Sequence, residues 1–361
     1  MRRGQLWTRR SVLKSLGSAA AAVVAAGTGP LSRLVSGAAE EKVRLVFLTD
    51  THLDMKCSAA NLAHIARWIV DNAEPLNIRY VAHQGDVGDR RGTGSIGEML
   101  KASRDALQPI MDAGIPFSVA IGNHDYDVGS DTRPCEAFND PEAFGMAFYE
   151  GQPWFGGTFE AEASEPGPDP GGTVNHYVAQ EIAGHPFLFL TLELFPRDKV
   201  MDWAYHLVRE RFPDHEVAVT THAYLHREGH LCAGVGYDGF SREEGPEYSN
   251  DGEEMWERYF RKWPNLRLVS GGHFIDEPRQ NYLEQTGDDG NIVHSHFWNY
   301  QNWGYRDGAL FNTRREGENQ AAMVKLFGVD LAGGEVHIEN YLPPAGVEGE
   351  AADPAHHRAW G

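Results

Sequence analysis

Residues 46–52 read Val46-Phe47-Leu48-Thr49-Asp50-Thr51-His52, an apolar run that closes on a carboxylate and, two residues later, an imidazole. From Val43 to Leu48 the run is continuous and rich in β-branched and large apolar side chains, the pattern of a buried strand. A carboxylate at the tip of such a strand loses hydration, a cost that a bound cation offsets. The stretch therefore predicts a strand that delivers ligands to a buried edge.

Working outward, Ser58 can cap a helix whose apolar positions Leu62, Ile65, Ala66 and Ile69 recur at helical spacing. Ile78–Ala82 reads as a second strand. Ile96, Met99, Leu100, Leu107, Ile110 and Met111 trace a second helix before Gly114, and Pro116–Ile121 reads as a third strand. Strand alternating with helix predicts parallel pairing with helices over a face. Residues 151–174, rich in Gly, Pro and acid, read as a long surface loop. Beyond it come a strand at His185–Leu192, a helix near Arg197–Arg211, and short strands at Val217–Thr220 and Leu266–Ser270. The last third reads as strands Ile292–Phe297, Ala322–Val329 and Glu335–Tyr341. From Pro343 to Gly361 the composition is that of a disordered tail.

Several of these strands end alike. The first delivers Asp50 and His52; the second, Gly85-Asp86-Val87-Gly88-Asp89-Arg90; the third, Gly122-Asn123-His124-Asp125. Later strands deliver Thr221-His222 and Gly272-His273. In open α/β sheets the ligand site lies past the carboxyl ends of the strands. Carboxylate, imidazole and amide oxygen on one rim describe a site for two metal ions with mixed oxygen and nitrogen ligands. No single element is specific; the ordered set is.

Composition narrows the function further. The chain has 361 residues and a net charge of −20, and six of its 32 basic residues lie in the first 38 positions, which hold no acid. The remainder is more acidic still, which argues against coating nucleic acid and leaves room for a small phosphorylated substrate at a metal site. Residues 1–38 read as a twin-arginine export signal: Thr8-Arg9-Arg10-Ser11-Val12-Leu13-Lys14, then small apolar residues from Leu16 to Gly27, with cleavage after Ala38. The apolar run is shorter than the roughly 20 residues a membrane span needs. A periplasmic or extracellular protein without a stable membrane span follows as the expectation. Three cysteines, Cys57, Cys135 and Cys232, are too few for a disulfide scaffold, although one pair could oxidise after export.

Taken in order, Asp50-Thr51-His52, the GDVGDR stretch from Gly85, the GNHD stretch from Gly122, His222 and Gly272-His273 resemble the signature of the calcineurin-like metallophosphoesterases, in an exported bacterial branch. The resemblance covers residues 43 to about 342 and places one such domain at 39–342. It implies an α+β fold, a four-layer αββα sandwich of two mixed β-sheets. It implies a hydrolase that cleaves a phosphate mono- or diester with a metal-activated hydroxide at two metal ions, Mn, Fe or Zn. Residue by residue, Asp50 and His52 would hold the first metal, Asp86 would bridge, and Asn123, His222 and His273 would complete the second. His124 would protonate the leaving oxygen, with Asp89 orienting it; Arg90 would either contact phosphate or serve the structure. The signature departs from the family at Ile275, where a histidine ligand is usual. Water, or a neighbour such as Asp276, His294 or His296, would take that position.

Other features have two readings. His226, His230 and Cys232 follow His222 at spacings that suggest either another metal site or plain loop residues. Trp298, Tyr300, Trp303 and Tyr305 form an aromatic group that packs a core or lines a substrate site. His83 reads as buried structure. A non-catalytic, metal-stabilised binding protein of the envelope is the alternative function, and another metal-dependent hydrolysis on the same scaffold a third.

Overall fold

The apolar run forms β1 (Lys42–Leu48), in which Val43, Leu45, Val46, Phe47 and Leu48 are all buried. The computed structural model describes residues 42–53, 57–92, 94–127, 135–159, 172–233, 249–274, 279–299, 301, 303–306, 309–312, 324–331 and 335–341. The expected leader and tail, Ile275, Asp276 and Tyr300 lie outside these residues, as do the side chains of Trp303 and Tyr305.

β1 pairs in parallel with β2 (Ile78–His83), and β2 in parallel with β3 (Phe117–Val119). The crossovers are helices α1 (Ala59–Asn72) and α2 (Ile96–Asp112), which pack on each other. Both start where side chains satisfy free amides. Ser58 accepts from Asn61 N at 3.2 Å, and Ser95 and Glu98 form a reciprocal capping box. On its other edge β1 pairs antiparallel with β13 (Val324–Asp330), and β13 with β14 (Glu335–Tyr341). The first sheet thus has the order β14-β13-β1-β2-β3.

The second sheet has seven strands: β4 (Phe155–Thr158), β5 (His176–Ile182), β6 (His185–Thr191), β7 (Glu216–Thr220), β8 (Leu266–Gly271), β9 (Arg279–Thr286) and β10 (Ile292–Asn299), in the order β4-β5-β6-β7-β8-β10-β9. The pairs β6–β7, β7–β8 and β8–β10 are parallel, and the pairs β4–β5, β5–β6 and β10–β9 antiparallel. β11 (Trp303–Arg306) and β12 (Ala309–Asn312) pair separately. The two sheets meet face to face: Tyr80 of β2 stacks on Phe189 of β6, ring centroids 3.7 Å apart. On the outer face of the second sheet Tyr177 of β5 meets Trp203 of a helix at Asp198–His206. Two mixed sheets with helices outside form the α+β sandwich that the resemblance implies.

Three local features depart from the expectation. Phe155–Thr158, inside the expected loop 151–174, is an edge strand bulged against β5; an edge strand pairs on one side only and tolerates a Gly-rich sequence. β5 and β9 were not expected, because HYVAQEI and RQNYLEQT mix polar and apolar residues. A helical segment at 252–262 is opened by a capping box between Asp251 and Glu254. All three cysteines are buried free thiols, so no disulfide forms among them. No helix among the described residues is long and apolar enough to cross a membrane.

Candidate metal centre

Five strands of both sheets end at one edge. Asp50 and His52 follow β1, Asp86 follows β2, Asn123 and His124 follow β3, His222 follows β7 and His273 follows β8. The loops are knitted by Asp50 N–H donating to Gly85 O at 3.0 Å and His52 N–H to Asp86 O at 2.9 Å. The backbone here is held in an unfavourable region. Asp50 (φ 49°), His52 (41°), Asp86 (52°) and His273 (76°) are left-handed, four of the seven such non-glycine residues among those described. Each costs on the order of 1–3 kcal/mol, and such costs cluster where function requires them. Two glycines have a steric cause: a Cβ at Gly122 would collide with Asp86, and one at Gly272 with Thr49 and Asp50.

Asp86 lies at the middle. Its Oδ2 is 3.4 Å from His52 Nε2 and 3.2 Å from His222 Nε2. His52 Nε2 also lies 3.8 Å from Asp50 Oδ1. On the far side of His222, His273 Nδ1 is 3.2 Å from His222 Nε2 and 3.1 Å from Asn123 Oδ1. All six residues are buried.

The tautomers follow from the outer partners. His222 Nδ1–H donates to Gln84 O at 2.8 Å, and His52 Nδ1–H to Asp89 Oδ2 at 3.0 Å. In the neutral rings each Nε2 then offers a lone pair toward Asp86. Lone pairs of two imidazoles, carboxylates and an amide facing one another without hydrogens between them repel, unless protons or cations intervene. Protons show the strength of that demand. Burial would push the His52 imidazole down, but the charge of Asp86, the neighbouring Asp50 carboxylate and the hydrogen bond to Asp89 raise it to about 10. Burial opposes His222 likewise, and Asp86 and Asp50 raise it to about 9. Against its own burial, Asp86 is held well below the usual carboxylate range by His222, His52 and His124.

Asp89 serves two rings at once. It accepts from His52 Nδ1 and, through Oδ1 at 3.0 Å, from His124 Nδ1. His124 also donates its backbone N–H to Asp86 Oδ1 at 2.8 Å, and its ring lies edge-on to His52 with centroids 4.8 Å apart. A residue absent from the sequence reading completes this group. Arg91 clamps Asp89 with Nε to Oδ1 at 3.0 Å, Nη2 to Oδ2 at 2.9 Å and its backbone N–H to Oδ1 at 2.9 Å. Its neighbour Arg90 donates Nη1 to the carbonyl of Asn123, which fits the structural one of its two readings. Asp125 gathers the amides of Val87 at 3.2 Å, Gly88 at 2.8 Å and Gly122 at 2.9 Å, tying the second and third loops together. Burial and the charge of Asp86 push Asp125 up to about 7 despite those three amides.

Some singled-out residues lie apart. His83 is buried beside Thr51, its Nε2 3.0 Å from Thr51 Oγ1. His294 bonds Tyr282 Oη at 2.5 Å. Burial, and after it the nearby Lys325, holds the His296 imidazole well below its usual range. Neither joins the clustered donor atoms of this rim, which group as His52, Asp86 and His124 and as Asp86, His222 and His273, each group within 4.8 Å. Trp298 is buried under Lys325, whose Nζ lies 5.5 Å from the ring centroid, which fits the packing role.

The donor set fits two cations sharing Asp86. His52 Nε2 is buried and makes no hydrogen bond, His222 Nε2 faces two further donor atoms, and mixed imidazole, carboxylate and amide donors suit Mn, Fe or Zn. Comparison with known proteins adds the family. The uncharacterised protein YvnB of Bacillus subtilis (strain 168) is 24% identical over 314 residues, 84% of this chain; the chain spans only 20% of the length of that relative. Among solved structures, GAP50, the anchor in the inner membrane complex of Plasmodium, aligns over 85% of this chain and 86% of its own, at 11% identity and TM-score 0.41. A dimetal phosphatase from Danio rerio aligns over 71% of this chain and 86% of its own, at 12% identity and TM-score 0.41. The family model for calcineurin-like phosphoesterases matches residues 43–277, more than half of the chain and every candidate ligand, and the chain belongs to that family.

Proposed function

We propose that this chain hydrolyses a phosphate ester, mono- or diester, of a small substrate at a pair of metal ions held by Asp50 and His52, the shared Asp86, and Asn123, His222 and His273. One observation carries the reading: the Asp86 carboxylate has an imidazole Nε2 on either side, at 3.4 and 3.2 Å, and each ring's Nδ1 is engaged by another acceptor. A site that only stabilised the fold would need no proton donor beside it. Here His124 stands next to the donor set with its Nδ1 held by Asp89.

When bound, the metals would supply Lewis acidity toward the phosphoryl oxygens and make water acidic enough to act as a nucleophile near neutral pH. The chain's own residues do the rest. Asp89 holds the His124 Nδ1–H and so leaves Nε2 as the nitrogen that exchanges a proton with the substrate; the imidazolium form, which the Asp89 charge supports, passes its Nε2 proton to the leaving oxygen. The same carboxylate fixes His52, so ligand and proton donor share one support. Arg90 holds Asn123 in place through its backbone carbonyl.

The test is elemental analysis of natively purified protein, followed by hydrolysis of nitrophenyl phosphate and bis(nitrophenyl) phosphate with added Mn²⁺. At least two metal ions per chain with turnover of either ester is expected. Two bound metals with no turnover of any phosphate ester would move the assignment to a metal-stabilised binding protein. Export by the twin-arginine route, to the periplasm or beyond, is part of the proposal. It rests on residues 8–14 and the small-residue run after them; the amino-terminal sequence of the exported protein should begin at Ala39.

A further inference from the structure

The loop that leaves His222 folds back on itself as a tight hairpin. Leu225 bridges Leu231 in antiparallel fashion. His226 N–H donates to His230 O at 2.7 Å and Gly229 N–H to His226 O at 2.8 Å, with Cys232 N–H bonded to Tyr224 O at 3.0 Å below them. Gly229 turns the chain at φ +84°, where an L side chain would be strained. Asn281 of β9 pins the turn by donating to Arg227 O at 2.6 Å. His226 and His230 are thereby held as a cross-strand pair, rings stacked at 14° with centroids 4.7 Å apart.

Glu228 sits on the turn between them. Its Oε2 is 3.7 Å from His230 Nε2, and one nitrogen of each ring and one Glu228 oxygen all lie within 4.8 Å of one another. The His230 tautomer is set as it is in a metal ligand: Nδ1–H donates to Leu231 O at 2.9 Å, leaving the Nε2 lone pair toward Glu228. His226 keeps a lone pair at Nδ1, where it accepts a long hydrogen bond of 3.3 Å from Glu228 N–H. One ligand is buried and two are reachable from solvent: His226 is 9% exposed, and the side chains of His230 and Glu228 are 60% and 58% exposed.

We propose that His226, Glu228 and His230 form a third metal site, separate from the pair at Asp86, that takes a borderline divalent cation of the Zn²⁺ class. Two imidazoles and one carboxylate with a position open to water are a known zinc donor set. Ligand atoms about 2.0–2.1 Å from a tetrahedral ion lie on the order of 3.3 Å apart. Closing the site asks the exposed His230 ring to turn out of its stack on His226, so that both lone pairs meet in one place, and the exposed Glu228 to swing in, while the buried His226 stays fixed. The site adjoins the rim of the main centre. The His226 ring lies 4.4 Å from that of Phe274, and Phe274 lies 4.7 Å from His273, so one aromatic ring separates the third site from a ligand of the second metal.

The test uses tag-free full-length protein, stripped and then titrated with Zn²⁺ against a chromophoric chelator, with Co²⁺ absorption as a second readout. The parent should bind one more equivalent than a Glu228→Ala/His230→Ala double variant, which keeps its hydrolysis of nitrophenyl phosphate. An Asp86→Asn chain should retain that one equivalent and its Co²⁺ bands, and lose both when the two loop substitutions are added. Equal Zn²⁺ stoichiometry in parent and double variant overturns the site. Loss of one equivalent on the loop substitutions, with none lost on Asp86→Asn, keeps the third site and instead defeats the dinuclear reading.

Discussion

His52 and His222 at the strand tips, and His83, His176 and His294 along the strands, are all buried, yet they titrate in opposite directions. At the tips the carboxylates outweigh burial and the rings rise to about 10 and about 9. Along the strands burial wins: His83 falls to about 3, His176 to about 4 and His294 to about 4. Burial alone therefore makes a neutral, structural imidazole. A carboxylate at contact distance makes a site that demands positive charge, supplied by protons in the stripped protein and by metal in the loaded one. Loading should then release protons near neutral pH, read as a buffer-dependent heat of Mn²⁺ or Zn²⁺ binding. A heat independent of the buffer's ionisation enthalpy would erase the distinction.

The largest effect should follow removal of the group that makes the difference. Asp86→Ala is expected to lose both metals and all measurable phosphoesterase activity, and to lower His52 and His222 toward the interior histidines, with Asp50 and Asp89 keeping part of the rise. Proton NMR titration of the stripped variant reads the second outcome directly. Two metals retained by this variant would contradict a shared ligand.

His124→Ala separates proton donation from metal binding. A positioned acid contributes roughly 10²–10⁴-fold, so the rate should fall by that much while the metal content stays at the parent's level. Metal loss instead would make His124 a ligand, a role its place in the donor cluster with His52 and Asp86 makes worth testing. Asp89→Asn should lower metal affinity and rate together, because one carboxylate supports both His52 and His124. Changes to residues behind a ligand typically cost about 10–100-fold. Arg91→Met, which leaves Asp89 in place and removes its clamp, belongs at the lower end, about tenfold, since the Arg91 side chain is 56% exposed. An Arg91 variant indistinguishable from the parent would show that Asp89 needs no clamp.

How legible this arrangement is in the sequence depends on how local its cause is. The strand tips are legible because an apolar run that ends in Asp50-Thr51-His52 states its own contradiction, and each ligand follows its own strand. Arg91 is not, since its contact with Asp89 exists only once the turn brings residues two apart into a fork. Asp125 is quoted within a motif, yet its work is to bind amides of Val87 and Gly88, 38 and 37 residues away. The left-handed backbone at Asp50, His52, Asp86 and His273 also leaves no mark in residue type, since none of the four is glycine. The segment opened by Asp251 did carry a readable signal: an acid at the N-cap with Glu254 three residues on is a capping pair. In the edge strand Phe155–Thr158, pairing with β5 overrides a composition that reads as loop.

The smallest effect belongs to the interior class and vanishes at neutral pH. His176 is fully buried, its Nδ1 2.6 Å from Thr173 O, its Nε2 without a hydrogen bond, and its ring against Tyr149 and Phe155. Its folded-state pKa, about 4, lies below the ordinary 6.5. Between those values the unfolded chain holds a proton that the folded chain refuses, so stability present above pH 6.5 is lost as pH falls toward 4. His52 has the opposite sign in the stripped protein, contributing below pH 6.5 and losing that contribution as pH rises through about 10. Parent and His176→Phe share the His52 contribution, so their difference isolates the interior ring. In urea unfolding of stripped protein the variant should gain about 1 kcal/mol on the parent between pH 7.5 and pH 5.5. Parallel stability curves over that range would mean that His176 takes up a proton inside the fold, and that burial alone does not set the interior class apart.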